Sequence, residues 1–421
     1  MNITAFGILE VAALALAALA SLRESSARAA RQLAVLTSGV VALWSLIGLT
    51  VATWEGSVSG WQLPFPALVA LVTFVAVSLS SLSDTRPSTF AIILALGATS
   101  VTAVWLTPGF AVWALLSLQA LLVWWELRRD TPATARAFGV FHGVGLASLA
   151  VGLALGGEST VGFWAVALGL LIREGSLPFH HWFVRFTERA PMGLVVAFSA
   201  PQLGLLLHLR VLSPHLPPQA SPYFGFLGLV TALFGAVLAT SEPKLKRVIA
   251  YLIISQSGLV ALGLESSSEI GQVGGLSAWL LVALTTAGLA MLCEALSARH
   301  MNSLSLTAPG GDFESTPILA TSFLLIGLSL VGLPGTLGFV AEDLLVQGTL
   351  AENSLLGWGL IVVTAINAFT VMRCVLTLFV GPKSPGGRSD LWPREKLAMA
   401  LVLISLALLG LVPSLLTCWF G

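Results

Sequence analysis

Ionisable side chains inside long apolar runs are the residues of this sequence that could carry chemistry. A charged side chain at membrane depth is costly, so each one becomes a functional hypothesis. Carboxylates and imidazoles exchange protons with water, and histidine does so near neutral pH. These residues therefore indicate movement of a proton or a small cation. The residues so placed are Glu126, Arg173, Glu174, Glu294, Glu342, Asp343 and Arg373, accompanied by His142, His180, His181 and His208.

Two of these groups flank predicted breaks in helices. Proline removes a helical hydrogen bond and glycine loosens the backbone, so these residues mark the places where a helix is interrupted. Acids stand beside both breaks, which a simple proline kink would not need, although ordinary kinks remain the alternative. Discontinuous helices of this kind mark the ion pathway in many transporters. The residues that define the breaks are Gly175 and Pro178 in the first, and Pro334, Gly335 and Gly338 in the second.

Pairing between the charged residues sets the expected mechanism. We expect Glu126 and Arg173 to pair across adjacent helices and to hold a charge until a proton or a movement releases it. For His180 and His181, hydrogen bonding to freed backbone groups and proton transfer both stay open, whereas His142 and His208 are interpreted as interhelical hydrogen-bonding residues. For Glu10 and Glu294, packing or snorkelling is as well founded as function.

The composition places the chain in a membrane. Of its 421 residues 56% are hydrophobic and 10% charged, and the mean hydropathy is +0.93, far from soluble averages. Twenty cations balance twenty anions, so nucleic acid is not an expected partner. The three cysteines form no CxxC pair and no ligand spacing, and no nucleotide motif is present, so we expect no metal, no cofactor and no catalytic residues.

The apolar runs predict an all-α polytopic membrane protein with about fourteen spans, since a bilayer core needs about 20 apolar residues per helix. The seventh and twelfth runs are too long to be single straight helices. The runs cover residues 4–22, 33–53, 64–82, 88–107, 109–128, 136–156, 160–190, 191–213, 222–240, 245–264, 273–297, 315–350, 355–381 and 396–419.

The basic residues support this count. Lys and Arg collect in cytoplasmic loops, and seventeen of the twenty lie in or beside loops that follow odd-numbered spans. The other three, Arg173, Arg210 and Arg373, lie in or at the ends of spans. We therefore predict both termini on the outer side of the inner (cytoplasmic) cell membrane. The N-terminus lacks a basic region, so no cleaved signal peptide is expected.

The breaks also predict an internal repeat. Spans 4–8 and 9–13 each place a break in the fourth position, and an odd number of spans per repeat inverts the second repeat in the membrane. We predict a single transmembrane domain over residues 1–421. It consists of N-terminal helices in 1–82, a first five-helix repeat in 88–213, a second inverted repeat in 222–381 and a C-terminal helix in 396–419.

Four segments resemble one family, the proton-conducting antiporter-like subunits of respiratory complex I, multi-subunit sodium/proton antiporters and membrane hydrogenases. The resemblance covers roughly residues 60–380, and the last segment is most similar to the M-type subunit of complex I. It implies that Glu126 and Glu342 are the key acids of two half-channels and adds Lys246 to the pathway. The segments are LLVWWELRR (121–129), LLIREGSLPFHHWFVRFTERAPMG (170–193), KLKRVIAYLIISQSGLVALGL (244–264) and GLPGTLGFVAEDLL (332–345).

The sequence departs from the family at its lysines. The seventh-helix lysine falls on Arg173, whose guanidinium does not release its proton in proteins. The eighth-helix lysine falls on Gln202, and the central lysine of the eleventh helix falls in the apolar run TTAGLAML at 285–292. The lysine chain implied by the resemblance is therefore missing, while the acids are kept.

Three functions remain open on these grounds. The resemblance implies a proton-translocating subunit of a larger energy-coupling complex, with two half-channels meeting between the repeats and with other membrane or soluble subunits and lipid as partners. A second possibility is the membrane subunit of a two-subunit inorganic-carbon uptake complex with a soluble zinc partner. A third is a structural subunit that does not conduct. The chain is not expected to be an enzyme by itself, but it could belong to a quinone oxidoreductase or hydrogenase complex.

Overall fold

A computed structural model describes residues 3–55, 60, 62–83, 85–107, 109–156, 158–216, 220–299, 304–382 and 389–420. Within these ranges the chain forms eighteen α-helices, a π-helical turn (His208–Leu212), a 3-10 turn (Ser213–His215), one isolated bridge between Lys244 and Ser305, and no strand. The predicted all-α class is confirmed. Lys383 and Arg388, two of the predicted cytoplasmic cations, lie outside the described residues.

The helices follow the predicted spans. Each predicted span coincides with one helix or with consecutive short helices. The helices are α1 Ile3–Arg23, α2 Ala27–Glu55, α3 Phe65–Leu79, α4 Pro87–Trp105, α5 Phe110–Asp130, α6 Pro132–Leu155, α7 Thr160–Glu174, α8 His181–Arg189, α9 Met192–Ser199, α10 Leu203–Leu207, α11 Ser221–Ser241, α12 Leu245–Leu264, α13 Glu269–Arg299, α14 Pro317–Leu330, α15 Leu337–Glu352, α16 Ser354–Phe379, α17 Pro393–Leu411 and α18 Ser414–Phe420.

Length and composition make the chain a multi-pass membrane protein. In the described part of the chain, nine helical segments are long and apolar enough to cross a membrane when the run Met192–His215 is counted as one, and the pair α17 and α18, bent by 86°, raises the number to ten. Helix α13 is buried along its whole apolar stretch, whereas α2 exposes large apolar side chains such as Leu36 and Leu43. An exposed apolar face of this kind suits contact with lipid. The count of fourteen crossings stays a prediction.

The helix ends are set by local chemistry. Proline occupies the first positions of α4, α6, α14 and α17, where its missing N–H leaves no helical bond unmade. Helix α7 ends at Gly175, whose left-handed backbone (φ +66°) lets its N–H donate to the Ile172 carbonyl at 3.2 Å. The Trp182 indole donates to the same carbonyl at 2.9 Å, so the end of α7 is held from two sides.

Both predicted breaks are present. Residues 175–180 separate α7 from α8, and residues 331–336 separate α14 from α15. Pro178 follows a cis peptide bond, while Gly335 has a φ of +82°. Gly338 lies in the first turn of α15 instead of in the break. A side chain there would collide with the Ser329 carbonyl at the end of α14, so this glycine permits the two half-helices to approach.

The eighth span is also broken, which the sequence analysis missed. Helix α9 ends at Ser199, and the chain restarts as α10 at Leu203 before it passes into the π-helical turn. Gln202, just before α10, has a left-handed backbone with a φ of +45°. Pro201 lacks an N–H group and so cannot continue the helical bonding of α9. The predicted continuous span is therefore corrected to two short helices.

The chain divides into two compact units. The N-terminal unit comprises Met1–Val77 and Asp84–Ser221, and the C-terminal unit comprises Ser78–Ser83 and Pro222–Gly421. The first predicted repeat (88–213) lies in the N-terminal unit, and the second (222–381) lies in the C-terminal unit. Each unit therefore contains one predicted break with acids beside it.

Candidate functional sites in the two units

Glu126 is held by hydroxyl groups and one arginine. Its buried carboxylate, near the end of α5, accepts hydrogen bonds from Thr89 at 2.5 Å and from Ser88 at 3.1 Å, both on α4. The Arg129 guanidinium, one turn further along α5, lies 3.6 Å away. The structure shows that hydroxyl groups fix the position of this acid, while its role in a half-channel stays a prediction.

The predicted pair between Glu126 and Arg173 is wrong. The Arg173 Nη2 atom donates to the Gln119 side chain at 3.1 Å and to the Phe198 carbonyl at 3.4 Å, and the guanidinium stacks 3.7 Å from the Phe198 ring centroid. Gln119 precedes Glu126 by two helical turns, which is about 10 Å along α5. Arg173 therefore contacts α5 at the Gln119 amide and not at the Glu126 carboxylate.

A small cavity separates Arg173 from His142. It is lined by both side chains together with Leu116, Leu146 and Ile172, and its volume is about 10 Å³, room for about one water molecule. His142 Nδ1 lies 3.0 Å from the Phe138 carbonyl, while His142 Nε2 and Arg173 Nη1 have no hydrogen-bond partner among the residues that the structure describes. His142, interpreted from the sequence as an interhelical hydrogen-bonding residue, bonds within its own helix and faces the cation.

Glu174 reaches the break of the eighth span. Its carboxylate accepts a hydrogen bond from the Gly204 N–H, in the first turn of α10, at 2.8 Å. A side chain at position 204 would displace this carboxylate, so glycine leaves room for it. Gln202, predicted to stand where the family has lysine, is buried at the same break. The structure therefore brings Arg173, Glu174 and Gln202 together at one place.

The remaining predicted histidines lie near the two breaks of the N-terminal unit. His180 is half-buried and directly precedes α8, whereas His181, the first residue of α8, is exposed. His208 is half-buried and begins the π-helical turn after α10. The exposed side chain of His181 suits exchange of protons with water more than burial in a relay.

In the C-terminal unit Glu342 has a single hydroxyl partner. Its half-buried carboxylate accepts a hydrogen bond from Thr364 on α16 at 3.3 Å and lies against Gly332 in the break. Asp343, also predicted for the pathway, is exposed and accepts a hydrogen bond from Gln347 at 2.7 Å on its own helix. The structure thus assigns only Glu342, of these two acids, to the interior beside the break.

Lys246 pairs with Glu294. The Lys246 Nζ atom on α12 lies 3.8 Å from the Glu294 carboxylate on α13, and Glu294 is buried. Because an ion pair accounts for the buried carboxylate, the structure favours this explanation over snorkelling. No partner for Lys246 was predicted from the sequence.

A second small cavity, of about 10 Å³, lies in the C-terminal unit beside the end of α14. Its lining includes Gln256, Thr285, Thr286 and Leu330 and contains no charged residue. The Gln256 amide donates to the Leu330 carbonyl at 3.4 Å. The central lysine implied by the resemblance is thus replaced at this level by hydroxyl and amide groups.

Three buried amides were missed by the sequence analysis. Gln119, Gln256 and Asn367 each hold another polar group, and Asn367 donates to Ser255 at 2.9 Å. The sequence feature that could have identified these amides is a polar residue on an otherwise apolar helix. For Gln119 the spacing of seven residues to Glu126 places both side chains on one helix face.

Two arginines close equivalent helix ends. Arg210 donates to the carbonyls of Val104 at 2.6 Å and Leu106 at 2.8 Å, at the C-terminus of α4. Arg373 donates to the carbonyls of Ala239 at 3.1 Å and Glu242 at 2.9 Å, at the C-terminus of α11. Cations suit these positions because the last carbonyls of a helix are unpaired and partly negative.

These features define an all-helical membrane protein with two broken helices that carry acids. The family described as "NADH:quinone oxidoreductase/Mrp antiporter, TM" matches residues 140–367. The chain belongs to this family, as the motifs predicted.

Relatives support the assignment. The chain is 29% identical over 391 residues to NADH-quinone oxidoreductase subunit 14 of Thermus thermophilus, a match that covers 90% of this chain and 85% of that protein. It is 27% identical over 261 residues to subunit M of Rickettsia prowazekii, covering 60% of this chain and 53% of the relative. The chain thus matches about half the length of the M-subunit relatives.

Solved structures share the fold. A chain of respiratory complex I from Thermus thermophilus superposes with a TM-score of 0.85 at 21% identity, covering 99% of this chain and 100% of that one. A chain of the Mrp complex from Dietzia sp. DQ12-45-1b gives a TM-score of 0.83 at 16% identity, covering 97% and 96%. These likenesses confirm the antiporter-like membrane fold.

Proposed function

We propose that this chain is a proton-translocating, antiporter-like subunit of a larger energy-coupling membrane complex. The observation that carries the proposal is that each unit contains both a broken helix and an acid held by hydroxyl groups. Glu126 has Ser88 and Thr89, and Glu342 has Thr364. Hydroxyl groups can hold either protonation state of a carboxyl group, since they both donate and accept.

The proposed pathway has one set of residues in each unit. In the N-terminal unit it comprises Glu126, Arg173, Glu174, Gln202, His180, His181 and His208, with His142 added by the cavity that it shares with Arg173. In the C-terminal unit it comprises Lys246 with Glu294, the amide-lined cavity at Gln256, and Glu342. Because Asp343 is exposed, we assign it to the outer part of this pathway.

Partner subunits follow from the relatives. Subunits 14 and M are named as parts of NADH-quinone oxidoreductase. We therefore propose a hetero-oligomeric assembly in which another subunit supplies any redox chemistry. Copurification in mild detergent tests this proposal, and redox or antiporter subunits are the expected partners. A single large zinc-binding soluble protein would instead favour the inorganic-carbon alternative.

Conservative replacement of the two acids tests conduction. Glu126→Gln and Glu342→Gln keep the size and acceptor oxygen of each side chain but remove its ability to ionise. We expect each variant to lose proton uptake into membrane vesicles that contain the native complex, with assembly intact on native gels. Glu269→Gln, at an exposed acid in the first turn of α13, is the matched control and should leave uptake unchanged.

The same experiment separates conduction from anchoring. If all three variants support full proton uptake, the chain is a structural subunit and the proposal fails. The substitution of arginine for the family lysine at position 173 favours that outcome, whereas the half-buried acids Glu174 and Glu342 beside the two predicted breaks favour conduction.

We also propose an inner-membrane location with both termini outside. Its support is the distribution of basic residues, seventeen of twenty in or beside loops after odd-numbered spans. Two exposed residues on successive loops, Asp130 and Glu158, provide a test. Both cysteine variants are made in a Cys418→Ser background. Glu158→Cys should react with a membrane-impermeant maleimide in cells whose outer envelope has been made permeable. Asp130→Cys should react only after the inner membrane has been made permeable as well. The opposite pattern would invert the topology.

The two five-helix repeats are proposed on three structural correspondences. Each repeat has a break in its fourth span, an arginine of its fifth span on the last carbonyls of its first span, and a small cavity lined by its second, third and fourth spans. Repeats of this kind place substrate sites at discontinuous helices. The correspondences favour repeat bounds close to residues 88–213 and 222–381.

A further inference from the structure

Two consecutive charged residues contact opposite sides of the break in the eighth span. Arg173, near the end of α7, donates to the carbonyl of Phe198 in the last turn of α9 at 3.4 Å. Glu174 accepts a hydrogen bond from the N–H of Gly204 in the first turn of α10 at 2.8 Å. We call Arg173 and Glu174 the charge pair. The charge pair therefore joins two helix ends that the backbone leaves unconnected by helical bonds.

The signs of the two charges match the groups that they meet. The last carbonyls of a helix and the first N–H groups of the next have no intrahelical partner. A guanidinium can only donate hydrogen bonds and a carboxylate can only accept them. Exchanging the two residues would place a donor against Gly204 N–H and an acceptor against the Phe198 carbonyl. The order arginine then glutamate is thus required by the direction of the chain through the break.

The geometry of the break depends on Glu174 in particular. Gln202, next to the break, has the left-handed backbone, and Pro201 has no N–H to donate. A side chain at Gly204 would occupy the position of the Glu174 carboxylate. Arg173 has additional partners in Gln119 and the Phe198 ring, so it stays in place without Glu174. The Gly204 N–H depends on Glu174.

We propose that Glu174 binds and releases the transported proton in the N-terminal unit, with Arg173 as its permanent counter-charge; this inference rests on the proposed function. The carboxylate takes one proton from water to become the neutral acid and returns it to water on the other side of the step. The guanidinium keeps its proton throughout. In this chain an arginine and glutamate together replace the single titrating lysine that the resemblance implies.

Protonation also changes the break. A hydrogen bond to an ionised acceptor is stronger than one to a neutral acid, so the link from Glu174 to Gly204 weakens when the proton binds. Besides Arg173 on α7, the charged or titratable groups on the elements packed against α7 are Arg136 and His142 on α6 and His208 and Arg210 on the π-helical turn. Arg136 is exposed, and His142 shares the small cavity with Arg173. Arg210 is engaged by carbonyls at the end of α4. Arg173 is thus the cation left without its counter-charge, and α10 is the segment released.

Glu174→Gln tests the inference on the intact protein. The amide oxygen of glutamine can still accept from the Gly204 N–H, so the break should keep its shape, but the side chain cannot bind a proton. Glu352→Gln is a matched control. The exposed Glu352 carboxylate likewise accepts from a backbone N–H, that of Ser267, at 2.9 Å.

Infrared difference spectra between high and low pH, recorded on the purified chain, provide a measurement independent of transport. We expect the wild type to show the carbonyl band of a protonated acid at low pH and Glu174→Gln to lose part of that band. Proton uptake by vesicles that contain the Glu174→Gln complex should be lost while assembly is retained. Glu352→Gln should keep the band that Glu174→Gln loses and should retain full uptake.

The outcomes are distinguishable from those of the proposed function. Unchanged infrared bands in Glu174→Gln would overturn the inference, whatever the transport result. Full proton uptake by Glu174→Gln in an assembled complex that depends on Glu126 would overturn it as well. If no acid variant affects uptake, the proposed function fails, and the infrared titration still shows whether Glu174 exchanges a proton.

Discussion

The two units differ in the polar groups that line their small cavities. The N-terminal unit places a cation, Arg173, against its small cavity, and the following span is broken at Gln202. The C-terminal unit lines its cavity with Gln256 and two threonines, and the following helix, α16, runs unbroken for 26 residues. A buried charge therefore coincides with a second break, and a neutral cavity coincides with a continuous helix.

The difference has a physical reason. A charge that is removed from water must be compensated by several polar partners. Helix backbones offer such partners only where they are interrupted, because within a helix each carbonyl and N–H is already paired. Arg173 and Glu174 obtain the Phe198 carbonyl and the Gly204 N–H from a break. A neutral amide such as Gln256 needs fewer partners, so no further interruption is required.

The largest expected effect comes from placing a charge in the neutral cavity. Gln256→Lys would bring an ammonium group into a site whose lining holds no carboxylate, at a cost of several kcal/mol in the free energy of unfolding. Thermal unfolding in mild detergent, followed by circular dichroism, measures the loss. Gln256→Met, of similar shape but neutral, should cost only about 1 kcal/mol for the lost hydrogen bond. Equal melting temperatures for the two variants would show that the C-terminal cavity accepts charge readily.

Alanine in place of glycine at close helix contacts should destabilise both units. An alanine Cβ at Gly152 would lie 2.8 Å from the Val166 backbone nitrogen, and one at Gly258 would lie 2.6 Å from that of Ala232. Such overpacking costs roughly 1–3 kcal/mol, so both substitutions should lower the melting temperature. Gly143→Ala, on the same helix as Gly152 but with open space around it, should be neutral or stabilising by up to about 1 kcal/mol. If Gly143→Ala is as harmful as Gly152→Ala, close helix approach is not the cause.

Two buried amides allow the charged and neutral sites to be compared directly. Gln119 accepts from the Arg173 guanidinium, whereas Asn367 donates to the neutral Ser255 hydroxyl. Bonds to charged groups are worth about 1.5–3 kcal/mol and neutral bonds about 0.5–1.5 kcal/mol. Gln119→Met should therefore destabilise the protein by about 2 kcal/mol and Asn367→Leu by about 1 kcal/mol. The reverse order in thermal unfolding would contradict the assignment of charge to the N-terminal site.

The smallest effect is expected at the two arginines that close helix ends. Arg210→Gln and Arg373→Gln each remove a cation from the last carbonyls of a helix, α4 and α11 respectively. A cation at a helix C-terminus contributes about 0.3–1 kcal/mol, and up to about 2 kcal/mol when partly buried. We expect losses of about 1 kcal/mol that agree between the two sites. A clear effect at only one arginine would weaken the proposed repeat.

The sequence was sufficient for the class of protein and for the positions of both expected breaks. Gly175, Pro178, Pro334 and Gly335 act through their own backbones, so their effects are local and can be predicted. The break at Gln202 was missed although Pro201 precedes it, because a single proline also fits an ordinary kink and the left-handed backbone belongs to a residue that has no such preference. It is held by Glu174, thirty residues earlier in the chain, through Gly204.

The partners of the acids could not be predicted from the sequence either. The motif around Glu126 marks a carboxylate that is buried, yet its partners are Ser88 and Thr89 instead of the predicted Arg173. Apolar composition gives little information about how a helix is rotated when most of its faces are apolar. The partner of a charged side chain therefore depends on packing between helices.

By itself the sequence determined a membrane-embedded helical chain, its family, its buried acids and two of its helix breaks. Composition, motifs and the backbone chemistry of proline and glycine act over a few residues, which is why these features can be predicted from the sequence alone. Only the tertiary structure decided that Arg173 binds Gln119, that Glu174 holds Gly204, and that Lys246 pairs with Glu294. Those partners are chosen by the rotation and depth of neighbouring helices, which the close approach of small residues such as Gly152 and Gly258 sets.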